Sequence, residues 1–179
     1  YFATGLPTVL YEPTLPHISN HERPANNVTF FNDHAVEGQA AAEHFLTCGF
    51  TSFAFVGTVE PTSWSQARQD GFIARLAKSG FHAAVYRPPA KMPRDDFSRE
   101  ILKLGQWLGR LPPRTALLAA HDERALQVLS AAATAQIAIP EDLSVLGVDD
   151  DELLCSTASP TLSSIPVNAT ETGERIAAA

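Results

Sequence analysis

Residues 143–155 read LSVLGVDDDELLC. The first half is apolar without alternation, and the second half opens with four acids, Asp149, Asp150, Asp151 and Glu152. A short continuous apolar run predicts a strand buried on both faces, as in a parallel sheet, and the acids mark its carboxyl end. The chain around this stretch follows the same grammar. Strand-like runs fall at LPTVLY (6–11), VTFF (28–31), SFAFVG (52–57), AAVYR (83–87) and ALLAA (116–120). Helical spacing fills the intervals. Residues 34–48 carry Val36, Ala40, Ala41 and Phe45 on one side and stop at Gly49. Residues 65–78 stop at Gly80. Phe97, Ile101, Leu104 and Leu108 keep 3–4 spacing behind a cap at Asp95 or Asp96. A further helix buries Ala125, Leu129 and Ala132, and a last one starts at Thr170 or Thr172. Strands alternating with helices, without hairpin turns, predict an α/β protein with a parallel sheet.

The totals restrict function. The chain has 179 residues, 45% hydrophobic and 18% charged, enough to bury a core. No apolar run reaches membrane-spanning length, so no membrane role is expected. A net charge of −7 with scattered Lys and Arg argues against this chain gripping nucleic acid. Cys48 and Cys155 have neither metal-site spacing nor disulfide density, and two unpaired thiols fit a reducing cytoplasm. The first strand has no preceding βα unit and the last helix no following strand, so the chain reads as a piece of a larger protein.

In open parallel sheets, ligands bind beyond the carboxyl ends of the strands. Asp33 follows VTFF. Trp64 and Arg68 follow SFAFVG. His121, Asp122 and Arg124 follow ALLAA, and Asp149 follows SVLGV. Each has a plainer reading: Asp33, Asp122 and Asp149 are equally good helix N-caps, and Asp150 to Glu152 first-turn acids that complement a helix dipole. Taken together they form a rim of carboxylates, a guanidinium and an indole. No GxSxG elbow or phosphate loop is present. His17 and His21 in HISNH lie in a Pro-rich connection, and no metal or cofactor is expected. A small polyol suits this rim. Carboxylates accept from paired hydroxyls, Arg donates in a fork, and Trp covers a sugar's C–H face.

At these residues the sequence resembles the effector domain of the lactose- and purine-repressor family. The resemblance runs from Val28 to Asp33, then through Trp64, Arg68 and Phe72, AAHDERA (119–125) and IPEDLSVLGVDDDEL (139–153). WLGRLPPRT (107–115) and Leu162, Ser163 and Ser164 are closest to a branch in which the repressor-like domain precedes an arabinose-regulator-type DNA-binding domain. His34 stands where Asn is common in the family, and Val167 where many members carry Gln. The resemblance implies a doubly wound parallel sheet in a periplasmic-binding-protein-like fold of two lobes, one nearly complete and the other partial. Residues 1–32 would be the tail of the N-terminal lobe, 33–159 the C-terminal lobe, and 160–179 a segment returning to the first. It implies that Asp33, Trp64, Arg68, Asp122, Asp149 and His121 face the ligand, and a regulator rather than an enzyme. That regulator would be a cytoplasmic homodimer sensing a sugar effector, a pentose such as xylose, by lobe closure. DNA would be bound only through a domain outside this chain. A sugar receptor of a transport system and an α/β hydrolase or phosphatase are the alternatives.

Overall fold

The computed structural model describes residues 8–11, 27–30, 32–88 and 97–178. The HISNH histidines and the Asp95 or Asp96 cap lie outside the described residues. Those up to Asp33 and from Asn168 onward form one compact unit, and those from His34 to Val167 a second.

In the first unit β1 (Thr8–Tyr11) and β2 (Asn27–Phe30) pair in parallel. α6 (Ala169–Ala177) sets the Arg175 guanidinium 5.9 Å from the centre of the Phe30 ring. Asn168, rather than Thr170 or Thr172, caps this helix, its side chain accepting from the Glu171 N–H.

The second unit carries α1 (His34–Thr47), β3 (Ser52–Val56), α2 (Ser63–Ala77), β4 (Ala83–Tyr86), α3 (Phe97–Leu108), β5 (Thr115–Ala119), α4 (Asp122–Thr134), β6 (Leu143–Asp149), α5 (Glu152–Thr157) and β7 (Ser163–Pro166). Its five strands pair in parallel in the order β4-β3-β5-β6-β7. The sequence predicted every one of these strands except β7. SSIP is too short and too polar to announce itself, and only its register against β6, with Leu146 opposite Ser163 and Val148 opposite Ile165, makes it a strand. Residues 163–166, expected in a segment returning to the first lobe, therefore form the edge of this sheet, and the two compact units divide at Val167.

Successive strand side chains point to opposite faces, and two cores result. Phe53, Phe55, Ala116, Leu118, Leu146 and Val148 pack against α1 and α2. Ala54, Val56, Leu117, Ala119 and Leu143 pack against α3 and α4. The sheet is thus wound on both sides. α1 buries Gly38, Ala41, Ala42 and Phe45, whereas Val36 and Ala40, expected on the buried side, are exposed. The reason is the neighbour. A Cβ on Gly38 would stand 2.0 Å from the Arg68 carbonyl oxygen, and one on Gly71 would stand 2.0 Å from that of Ala35. The two helices touch main chain to main chain, and only glycine permits it. A glycine inside a helix costs about 1 kcal/mol relative to alanine. Here that cost is offset by the close fit around Phe45 and Phe72.

The order of strands fixes where a ligand would go. α2, after β3, lies on one face, and α4, after the adjacent β5, on the other. The chains leaving β3 and β5 therefore diverge to opposite faces, the arrangement beside which ligands bind in open α/β sheets.

Candidate functional site

Two helix starts lie at this edge of the sheet. Thr62 caps α2, accepting from the Ser65 N–H, so Trp64 sits in the first turn and Arg68 one turn further on. α4 is capped by a histidine: His121 Nδ1 accepts the Arg124 N–H at 3.3 Å. The rings of Trp64 and His121 stand 5.5 Å apart, and the Arg68 guanidinium lies 5.1 Å from the Trp64 centroid.

Arg68 is only 3% exposed, and its partners come from three directions. Nε donates to Glu37 Oε2 on α1, Nη1 to the Ala120 carbonyl after β5, and Nη2 to Asp149 Oδ1 at 3.1 Å. A guanidinium has five N–H donors in a rigid plane, so three fixed contacts leave its orientation little freedom. Asp149 is the open end of this chain of contacts, with its side chain 47% exposed. Its backbone φ is 113° and that of Asp150 is 57°, a conformation L residues adopt at a cost. Such strain gathers where a side chain must be aimed. Burial raises the Asp149 pKa, against the pull of Arg68. Burial lowers that of His121, against the pull of Asp149.

The structure brings together Trp64, Arg68, His121 and Asp149. Of the other two candidates, one belongs to the first unit and one turns away from this rim. Asp33 is the last residue of the first unit. Asp122 is buried and turned toward β7 and α5: Oδ1 accepts from Ser164 Oγ at 2.6 Å, and Oδ2 from the Asp151 N–H at 2.8 Å and from Cys155 Sγ at 3.6 Å. It is neither the cap of its own helix nor part of the open rim. Asp149 is not a cap either, because Asp151 takes that place on α5, its Oδ1 accepting from the Leu154 N–H. Arg124 turns inward. It donates to the Gly57 carbonyl and to Glu100 Oε1 at 2.7 Å and lies 5.8 Å from the Tyr86 ring centre, a buried cluster that fastens α3 and α4 to the ends of β3 and β4. Burial, followed by the nearby Glu100 carboxylate, pushes the Tyr86 phenol up to about 12.

Glu37 is the site residue that the sequence reading missed. It lies in the first turn of a helix and looks like an ordinary acid there. Only the glycine-mediated contact of α1 with α2 brings it to Arg68.

Among the described residues no three His, Cys, Asp or Glu side chains converge as a metal would need, and no helix is long and apolar enough to cross a membrane. The rim offers a fixed planar donor, a half-open carboxylate, an imidazole and an indole face, a set that can hold vicinal hydroxyls.

A doubly wound parallel sheet with polar side chains at its switch point defines a ligand-binding α/β unit. The chain belongs to the periplasmic binding protein-like domain family, whose model matches residues 42–179. It is 32% identical over 141 residues to the xylose operon regulatory protein of Haemophilus influenzae, covering 78% of this chain and 36% of that one. It is 29% identical over 163 residues to the protein of the same name from Escherichia coli K12, covering 90% and 41%. The solved structure of a xylose-binding transcription activator superposes with a TM-score of 0.76 at 25% identity, over 97% of this chain and 45% of that one. The chain thus spans less than half the length of these relatives.

Proposed function

We propose that this chain is the effector-binding part of a cytoplasmic, sugar-responsive transcriptional regulator, with a pentose such as xylose as effector. The observation that carries the reading is the Arg68 guanidinium, clamped at three points beneath Trp64 with the half-open Asp149 beside it. The names of the relatives support the choice of xylose. Trp64, Arg68, His121 and Asp149 form the proposed sugar-facing set. Asp33 joins it on the family resemblance, and Asp122 acts from behind by holding β7. The described residues up to Asp33 and from Asn168 are assigned to the N-terminal lobe, and those from 34 to 167 to the C-terminal lobe.

A bound sugar shifts the regulator between conformations only by its differential affinity for them. DNA contact and dimerisation belong to the full-length regulator. We read the rim as a binding site and not a catalytic one. His121 spends its Nδ1 lone pair on a helix cap. The Cys155 thiol, pushed up to about 11 by burial and by Asp122, is the reverse of an activated nucleophile.

The test is a fluorescence titration of the full-length protein with D-xylose, D-ribose, L-arabinose and D-glucose. A Trp107→Phe background leaves Trp64 as the reporter within this chain, whose two tryptophans are Trp64 and Trp107. Saturable change with one pentose, abolished by Arg68→Met, supports the sensor. No response to any sugar in the folded protein removes the pentose reading. The family's other setting, a sugar receptor serving transport, is tested by the flanking sequence. A secretory signal with no DNA-binding segment would favour it.

A further inference from the structure

We propose that Glu37 is the positioning residue for Arg68, setting the plane in which the guanidinium meets Asp149 and, on the reading above, the ligand. Glu37 Oε2 accepts from Arg68 Nε and lies 3.1 Å from His34 Nδ1, so one carboxylate oxygen serves two side chains. The Glu37 side chain is 12% exposed and that of Arg68 is 4% exposed, which removes most of the solvent screening that weakens surface pairs.

The pair is also set by the main chain. Gly38, next to Glu37, presses on the carbonyl of Arg68 itself, and Gly71 presses on that of Ala35. Glu37 and Arg68 are therefore held opposite each other by backbone contact. An arginine side chain has several rotatable bonds, and contacts at Nη1 and Nη2 alone leave its Nε edge free to swing. The Glu37 contact closes that freedom. The simpler alternative makes Glu37 an ion pair that only fastens α1 to α2. Both accounts expect its removal to lower stability, but only positioning expects the effect to reach the far end of the guanidinium.

The experiment is a double-mutant cycle on the ligand-free, full-length protein. It uses wild type, Arg68→Met, Asp149→Asn and the double variant, unfolded in denaturant and followed by tryptophan fluorescence. The cycle is repeated with Glu37→Gln and again with Glu37→Asp, which keeps the charge and shortens the reach. With Glu37 present, Arg68 and Asp149 should be coupled by about tenfold in the unfolding constant, within the range of contacting charged pairs. With Gln or Asp at 37 that coupling should fall below about twofold. Equal coupling in the three backgrounds, or none with Glu37 present, overturns the assignment. The sugar reading is judged apart from it, by D-xylose binding to wild type. Coupling that depends on Glu37 in a protein that ignores D-xylose leaves the positioning role standing and removes the sugar. D-xylose binding with coupling indifferent to Glu37 does the reverse.

Discussion

A Cβ placed on Gly147 would stand 2.1 Å from Asp122 Oδ1, the oxygen that holds Ser164. The missing side chain in β6 is what lets the buried carboxylate reach β7. Gly147→Ala should therefore destabilise by about 1–3 kcal/mol, the usual range for overpacking, with Asp122 driven off Ser164. Gly173→Ala is the control, because no described residue lies within 4 Å of a Cβ there. Denaturant unfolding of both variants decides the matter, and equal midpoints would refute it.

Asp149→Asn should hold or raise the thermal midpoint at pH 7 while weakening ligand binding. The Asp149 pKa is raised in the fold. Stability from this group is thus present below its unfolded value, about 3.9, and is lost as pH rises through the folded value. At neutral pH the ionised carboxylate works against folding, and Asn also tolerates positive φ better than most residues. Any gain should shrink on acidification. A clear drop in midpoint at pH 7 would contradict this.

His121 predicts the opposite slope. Its pKa is lowered by burial, and its Nδ1 must be unprotonated to accept the Arg124 N–H. Its contribution is present above the unfolded value of about 6.5 and is lost as pH falls through the lowered one. Thermal midpoints should fall between pH 7 and 5.5, and His121→Asn, which keeps a capping acceptor, should flatten that fall. The same slope in both proteins would assign it to other groups.

Arg124→Met leaves the Glu100 carboxylate buried without its cation. Breaking a buried pair from one side costs about 3–5 kcal/mol, so this variant should unfold at much lower denaturant. Adding Glu100→Met should recover most of the loss. Failure of the double variant to recover would point to the other contacts of Arg124, with the Gly57 carbonyl and Gln127 Oε1.

Which of these features the sequence could show follows from their physics. Apolar runs and 3–4 spacing mark elements that bury whole faces, so β3, β5, β6, α2 and α4 were readable, and with them the strand ends that carry Trp64, Arg68, His121 and Asp149. Position at a strand end does not say which way a side chain turns. Asp122 follows its strand as the family pattern asks, yet it points to Ser164 because Gly147 clears the way. His121 was legible as a rim residue but not as a cap, a role in which Asp or Asn is the usual choice. β7 and Glu37 depend on pairing and helix contact across the fold, which local pattern does not encode.

The glycine contact between α1 and α2 has an evolutionary consequence. Arg68 is seated through main chain at Gly38 and Gly71, whereas Trp64 and His121 face each other through side chains alone. On the proposed sugar-binding reading, a lineage could therefore exchange the indole and acquire a taste for another ligand while the Arg68 guanidinium stays in place. The two glycines have no such latitude, because any larger residue must part the helices first.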